Sequence, residues 1–216
     1  MTIKVMNNDN IRREDAEYRS FDFEIRAAKT EEDQEELYVE GRAITFNDPT
    51  VIWEYGGIQY KEQIDDRALD DADMSDVIFN YNHGGKVMAR TRNKTLELTK
   101  DKKGLKIKAR LDGTEEGRKL YEEVKGGYID RMSFRFIANE NAYDSDNHMR
   151  TIRKIKKLYD VSAVDIPAYD KTSISARSFF EAEAKEERKA AEAAELRKKL
   201  AMQIGLTVKT KGVKTV

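Results

Sequence analysis

The chain has 216 residues and a mass of 24.9 kDa, enough for one substantial domain with an attached segment and too little for two large domains. Charged residues make up 38% and hydrophobic residues 39%, so the sequence is polar without being poor enough in apolar residues to be disordered throughout. The net charge of −1 argues against a nucleic-acid binder that relies on overall charge, and the absence of cysteine excludes disulfide scaffolds, thiolate metal sites and a cysteine nucleophile.

The start of the chain lacks the apolar segment of a signal peptide, and no run approaches the roughly 18 apolar residues of a membrane-spanning helix. We therefore expect a soluble protein that is not secreted through a cleaved signal. Residues 1–18 are expected to form a flexible N-terminal segment.

Short β-strands are predicted throughout the first half of the chain. Residues 20–25 alternate strictly, with Phe21, Phe23 and Ile25 on one face, which indicates a half-buried strand. Further strand patterns occupy residues 37–46, 51–55, 58–64 and 77–82. A hairpin is predicted over residues 95–111, with one apolar face formed by Leu105, Ile107, Ala109 and Leu111.

After the hairpin the pattern changes to a short helix, with Thr114 as its N-cap and Gly126-Gly127 at its end. The next strand, over residues 128–137, alternates between two faces. Its core-facing residues are Tyr128, Met132, Phe134 and Phe136, and its polar residues are Arg131, Ser133 and Arg135. A polar loop over residues 139–148 then leads into two more strand candidates, which end at Pro167.

Many short strands with few helices indicate an α+β domain built on a closed or nearly closed β-barrel, over residues 19–177. Residues 178–216 form an attached segment. Ser178 and Glu181 make an S-x-x-E capping box before a polar helix to about Met202, which Gly205 is expected to stop ahead of a flexible basic end. Because its apolar residues are mainly alanine, this helix is expected to protrude or to pair with a partner helix.

Individual residues leave the chemistry open. A serine nucleophile needs a base, and the two histidines are His83, at a strand end before two glycines, and His148, in the polar loop, where we expect it to be exposed. Taken singly, His83 and Ser133 are each more typical of structural residues. Asp160 shares a strand face with Ser162 and, if buried, could orient an imidazole through its Nδ1–H. No motif for a metal or a cofactor is found in the sequence.

Four segments occur in an order that resembles a known family: YNHGGKVMARTRN followed by TLEL, then DKKGLKIKARLD, GGYIDRMSFRF and LYDVSAVDIPAYDKTSISAR. From about Phe21 to Arg177 the chain is similar to the tailed-phage prohead proteases, the capsid-maturation serine proteases related to herpesvirus assemblin. The resemblance implies an assemblin-like β-barrel of short antiparallel strands with flanking helices, and a serine endopeptidase that needs no cofactor.

The resemblance also implies site residues, with His83 as general base and Ser133 as nucleophile. The third position is commonly Glu in the family, whereas Asp160, one methylene shorter, stands here. Assemblin-like enzymes use a second histidine there, but His148 lies outside the matching motifs and is not assigned. Arg90, followed by Thr91, matches the family's Arg-Thr pair, which implies structural support or help in stabilising an oxyanion.

The implied function is cleavage of scaffold or capsid-precursor segments, and of the chain itself, inside the procapsid in the host cytoplasm. The implied partners are the major capsid protein or its scaffolding segment, the portal-containing procapsid and a second copy of the chain, with no specific nucleic-acid recognition and no membrane. The C-terminal helix would dock to such a partner or be removed by self-cleavage. A hypothesis of a different class is a catalytically silent barrel that binds capsid or scaffold and hydrolyses nothing.

Overall fold

The computed structural model describes residues 3–7, 15–28, 36–165 and 174–211, without the side chains of residues 20–25, 28, 174–175 and 205–211. The chain divides into two compact units, Met1–Arg177 and Ser178–Val216. Eleven strands and two α-helices are described: β1 (Ile3–Asn7), β2 (Glu17–Ala28), β3 (Tyr38–Thr45), β4 (Thr50–Tyr55), β5 (Ile58–Ile64), β6 (Ile78–Tyr81), β7 (Gly84–Arg90), β8 (Leu96–Asp101), β9 (Gly104–Arg110), α1 (Glu115–Lys125), β10 (Arg131–Asp144), β11 (Met149–Val164) and α2 (Ile174–Lys211).

The strands of the first unit form one mixed sheet. Its main path runs β4-β5-β11-β10-β2-β3-β9-β8, while β1 pairs with β10, and β6 pairs with both β11 and β7. The α+β class is confirmed. The expected barrel of short antiparallel strands is not found in the described part of the chain, because β4 and β8 lie at opposite ends of the path and β11 pairs in parallel with both β5 and β6.

The centre of the sheet is a long antiparallel hairpin of β10 and β11, with 14 and 16 residues. The sequence predicted a polar loop over residues 139–148 and then two separate strands. The polar stretch continues β10 instead, because Ala142 and Tyr143 within it are buried. Register shifts between Arg135 and Asn141 are β-bulges, which allow such a long pair to bend.

The N-terminal segment also differs from the expectation that residues 1–18 are flexible. Ile3–Asn7 forms β1, which pairs antiparallel with β10 from Asp144 to Glu140. Strand β2 begins at Glu17 and joins β10 to β3, so it connects the two halves of the sheet. The side chains of Phe21, Phe23 and Ile25, which the sequence predicts to share one face, lie outside the described part of the structure. Pro167 lies outside it too.

The core lies between the sheet and α1. The predicted apolar face of the β8–β9 hairpin is confirmed, since Leu105, Ile107, Ala109 and Leu111 are all buried. Helix α1 begins as predicted, with the Thr114 hydroxyl accepting a 2.9 Å hydrogen bond from the Gly117 N–H, and it buries Leu120, Tyr121 and Val124. Tyr128 is 82% exposed rather than core-facing, because β10 begins only at Arg131.

The described residues of the second unit belong to one long helix, α2, whose ends differ from the prediction. Helix α2 starts at Ile174, which places Ser178 inside the helix and not at a cap, and it continues through Gly205 to Lys211. One glycine costs a helix only about 1 kcal/mol, so it need not end one. The described side chains from Arg188 to Ile204 are exposed. Neither described helix is long and apolar enough to cross a membrane.

Candidate active site

His83 lies in the tight connection between β6 and β7. Asn82 and His83 have positive φ angles of 50° and 57°, and Gly85 follows with a φ of 70°. Two consecutive non-glycine residues in the left-handed region are uncommon, and such backbone persists only where the surrounding contacts enforce it. The turn directs the imidazole back over the polar face of β10 and β11, where its hydrogen-bond partners lie.

Strand register brings the polar residues of three strands to that face. Ser133 on β10 is opposite Ser162 on β11, and Asp160 is opposite Arg135. Directly opposite residues of an antiparallel pair point to the same face. The parallel pairing of β6 with β11 adds Asn80 beside Ser162. Met132, Phe134 and Phe136 point to the other face and are buried in the core, as predicted.

Ser133, His83 and Asp160 are linked by two short hydrogen bonds. His83 Nε2 lies 2.6 Å from Ser133 Oγ, and His83 Nδ1 lies 2.6 Å from Asp160 Oδ1. A carboxylate can only accept, so the Nδ1 position carries the proton and Nε2 is left to accept a proton from the serine hydroxyl. The Ser133 residue is fully buried, and the side chains of Asp160 and His83 are 5% and 15% exposed, so the imidazole is the most accessible group of the three.

Three further residues support this arrangement. Ser162 Oγ lies 2.9 Å from Asp160 Oδ1, 3.1 Å from His83 Nδ1 and 2.5 Å from Asn80 Oδ1. The Tyr18 ring packs edge-on against the imidazole, with 4.6 Å between the ring centroids. From the sequence, Ser162 is expected only to share a strand face with Asp160, and neither Asn80 nor Tyr18 is predicted at the site. Asn80 could have been found, because it alternates with Phe79 and Tyr81 and so lies on the opposite face of its strand from them.

The main chain of β2 also contacts the serine. Ser133 Oγ donates to the Arg19 carbonyl oxygen at 2.9 Å. A hydroxyl has one proton, so the Arg19 carbonyl competes for it with His83 Nε2. The site therefore contains two alternative acceptors for the Ser133 proton.

The Arg19 side chain belongs to a buried cluster of two arginines and two glutamates that the sequence analysis missed. Arg19 bonds both Glu17 and Glu62, and Arg150 bonds the same two carboxylates at 2.9 and 3.0 Å. Burial opposes the charge of Glu17, but Arg150 and Arg19 outweigh it and hold its pKa well below the usual range. Burial also opposes the charges of Arg19 and Arg150, and the glutamates nevertheless raise the pKa of both guanidinium groups.

Two other residues singled out by sequence do not join the site. Arg90 binds Asp76 through Nε at 2.5 Å and Nη2 at 2.8 Å, and no contact between Arg90 and Ser133 is described. His148 lies in the β10–β11 turn, where its ring packs 5.1 Å from the Tyr60 ring. It is partly buried, contrary to the expectation of an exposed loop residue, because the loop is a tight strand connection. In the described residues no group of three His, Asp or Glu side chains is arranged to hold a metal.

Comparison with known proteins adds a family. The family model described as caudovirus prohead serine protease matches residues 20–187 of the chain. A search of the curated proteins finds no match. Among solved structures, the chain is similar to the capsid assembly protease of bacteriophage T4, with 13% identity and a TM-score of 0.45 over 69% of this chain and 96% of that one.

Proposed function

The chain belongs to the caudovirus prohead serine protease family, and from this membership we propose that it is a serine endopeptidase with Ser133, His83 and Asp160 as its catalytic residues. The observation that carries the proposal is the pair of 2.6 Å contacts that join a serine hydroxyl, an imidazole and a buried carboxylate in line. These are the contacts that a serine needs to become a nucleophile.

In the proposed mechanism, His83 Nε2 takes the Ser133 proton while Oγ attacks a peptide carbonyl. The resulting imidazolium is stabilised by Asp160 and gives its proton to the leaving amine, which leaves an acyl-enzyme. Water, deprotonated by the same imidazole, then releases the acyl group and restores the serine. Ser162 acts by donating a hydrogen bond that holds the Asp160 carboxylate in place.

For Arg90 we propose the structural role rather than the oxyanion role. Both of its bonds to Asp76 would have to break before its guanidinium could reach a substrate. The neighbouring Thr91 hydroxyl accepts a 2.9 Å hydrogen bond from the Val77 N–H, just before β6 begins. Together these contacts hold the β6–β7 hairpin that carries His83.

The proposed substrates are scaffold or capsid-precursor segments, and the chain itself, inside the procapsid in the host cytoplasm. The proposed role of α2 is to bind the scaffolding segment of the capsid protein. Its exposed side chains support this role, because Leu196, Leu200 and Ile204 recur every four residues and lie 59%, 48% and 64% exposed on one helix face.

The deciding experiment is intact-mass spectrometry of the purified chain over time, alone and mixed with the capsid precursor of the same phage. The wild type is expected to produce fragments that are absent in Ser133→Ala and His83→Ala. Ser145→Ala and His148→Asn are matched controls and should cleave as the wild type does. Fragments that persist in Ser133→Ala would contradict the mechanism, and an intact precursor with the wild type would favour the catalytically silent barrel.

A further inference from the structure

Arg135 is a cation beside the site that has no acidic partner among the described residues. It lies on β10 two residues after Ser133, on the same face, and opposite Tyr18 of β2. No ion pair of Arg135 occurs within the described part of the chain, and its buried Nε has no hydrogen-bond partner there. Other arginines of the sheet differ in this respect, since Arg19, Arg42, Arg90 and Arg150 each bond a carboxylate.

Two aromatic rings hold the Arg135 guanidinium. Its carbon lies 5.1 Å from the ring centroid of Tyr18 and 5.5 Å from that of Tyr159. These are cation–π distances, and a guanidinium packed between rings keeps its planar donor edge available. Lys157 also lies over Tyr159, but its ammonium bonds Asp73 at 2.6 Å. Arg135 is therefore the cation at these rings that is left to bind another anion.

The contacts of Tyr18 place this cation close to the reacting groups. The Tyr18 ring packs against the His83 ring, with 4.6 Å between the ring centroids, and also against the Arg135 guanidinium. Residues two apart on a strand are separated by about 6.6 Å. A peptide whose carbonyl reached Ser133 would bring the side chains next to the cleaved bond within reach of Arg135.

The carboxylate of Asp160 does not satisfy Arg135, although the two residues are opposite each other in register. The described bonds of that carboxylate come from His83 and Ser162. A partly buried guanidinium that pairs with no acid of the described residues is best matched by a carboxylate that arrives with the substrate, because the pair then forms charge-assisted, bidentate hydrogen bonds.

We propose that Arg135, held between Tyr18 and Tyr159, is a specificity-determining residue that binds the carboxylate of an acidic side chain near the scissile bond of the substrate peptide. The inference rests on the proposed protease function. It makes the preferred substrate an acidic peptide, and it makes Arg135 separable from the catalytic residues, because Arg135 contributes to substrate choice and not to proton transfer.

The test uses octapeptides tiled across the capsid precursor, each with a counterpart in which Glu and Asp are replaced by Gln and Asn. The wild type is expected to cleave the acidic form of its best substrates at least about tenfold faster in kcat/KM than the neutral form. Arg135→Met should remove this preference by lowering kcat/KM for the acidic peptides to about that for the neutral ones. Arg131→Met, on the same face on the other side of Ser133, should keep the preference. Equal rates for both peptide forms with the wild type would overturn the proposal.

A binding measurement separates this inference from the protease function. Fluorescence anisotropy of the labelled peptides with full-length Ser133→Ala needs no turnover. We expect this protein to bind acidic peptides more tightly than neutral ones. The difference should disappear when Arg135→Met is added to Ser133→Ala and persist when Arg131→Met is added instead. This result would support the subsite even if the wild type hydrolysed nothing. Equal binding of the two peptide forms would overturn the subsite and leave the catalytic assignment untouched. Neutral-peptide binding by the Arg135→Met protein reports that the variant is folded.

Discussion

A single oxygen of Asp160 accepts hydrogen bonds from both His83 Nδ1 and Ser162 Oγ, at 2.6 and 2.9 Å. Because this oxygen only accepts, the imidazole is fixed in the tautomer that leaves Nε2 free for the Ser133 proton. The side chain is one methylene shorter than the glutamate that the resemblance implies for this position, and it reaches His83 all the same. The β6–β7 turn brings the ring to the carboxylate.

Replacing Asp160 by asparagine tests this role with almost no change in size. The amide nitrogen of the introduced side chain would donate to Nδ1 of His83, which shifts the imidazole proton to Nε2 and removes the acceptor for Ser133. We expect Asp160→Asn to lower kcat by about 10⁴-fold, the loss typical of this substitution in a serine triad. Peptide turnover would measure it, with Asp146→Asn in the exposed β10–β11 turn as the control. A variant with wild-type kcat would remove Asp160 from the mechanism.

The buried cluster around Glu17 gives the free energy of unfolding a dependence on pH. Burial disfavours the Glu17 charge, but Arg150 and Arg19 lower its pKa in the folded protein below its ordinary value of 4.5. A group with a depressed folded pKa contributes stability above its unfolded pKa, and this contribution is lost as the pH falls towards the folded pKa. The stability that Glu17 contributes is therefore lost as the pH falls below about 4.5.

Urea unfolding from pH 7 to pH 3 would measure this contribution. We expect the difference in unfolding free energy between the wild type and Glu17→Gln to be constant above about pH 5 and to shrink by about 1.4 kcal/mol per pH unit below about pH 4.5. Glu115→Gln serves as the control, because this side chain is 75% exposed and its ion pair with Lys119 lies on the surface of α1. A difference that stayed constant down to pH 3 would mean that the pKa of Glu17 is the same in the folded and the unfolded protein, and that the two arginines do not lower it.

At the scale of residues, the sequence singled out the three side chains that the structure brings together and missed the residues around them. His83, Ser133 and Asp160 stand out because few residue types can act as base, nucleophile and orienting acid. Arg19 and Glu62 did not stand out, since charged residues are expected at the surface. The strand pattern could have identified Glu62, because it lies two residues from both Tyr60 and Ile64 and so shares their strand face. All three side chains are buried.

At the scale of elements, Gly104 fixes the approach of the β8–β9 hairpin to β3. Its φ is +150°, and a Cβ at this position would lie 1.8 Å from the Ile44 carbonyl oxygen. Backbone atoms cannot move aside as a flexible side chain can. We expect Gly104→Ala to destabilise the protein by about 3 kcal/mol or more in urea unfolding.

Gly113→Ala is the matched control for this change. A Cβ at Gly113 meets no atom within 4 Å, and Gly113 lies in the turn before α1. Its effect should stay within about 1 kcal/mol, and it can be stabilising because alanine restricts the unfolded chain. Equal effects of the two substitutions would show that contact with β3 does not govern the hairpin.

Local patterns predicted short elements better than long ones. The β8–β9 hairpin and α1 were predicted with nearly the observed ends, because a turn and an N-cap are encoded by neighbouring residues. The continuity of β11 was missed, since its polar residues Lys154 and Lys156 interrupt the apolar pattern while the strand pairs through its backbone. The start of α2 was missed because Ser178 has the residues of a cap without being at the helix end.

For the whole molecule, the sequence predicts the α+β class but not the order in which the strands pair in the sheet. Whether β4 meets β8 depends on residues far apart in the chain, and no local pattern encodes such a pairing. The parallel pairing of β11 with β5 and β6 is equally non-local. It is nevertheless the feature that brings Asn80 and the following His83 next to Asp160, so the site depends on the part of the topology that the sequence did not predict.

The proposed roles assign catalysis to the first unit and docking to the second. Truncation after Glu187 retains the family-matched residues 20–187 and removes the part of α2 whose described side chains are all exposed. We expect this truncated protein to hydrolyse peptides within about twofold of the full-length rate, because the described groups of the candidate site all lie before residue 163. Its incorporation into procapsids should fall at least about tenfold, since the exposed apolar face would be lost.

Point variants of the full-length chain separate the loss of a docking face from the loss of length. Leu200→Glu places a charge on the face shared with Leu196 and Ile204, whereas Lys198→Glu places the same side chain on the opposite face of α2. Quantifying the protein in purified procapsids should give reduced incorporation for Leu200→Glu and full incorporation for Lys198→Glu, with equal peptide hydrolysis by both. Full incorporation of the truncated chain and of Leu200→Glu would mean that the first unit alone carries the protease into the capsid, and the exposed helix would then be free to serve as a substrate.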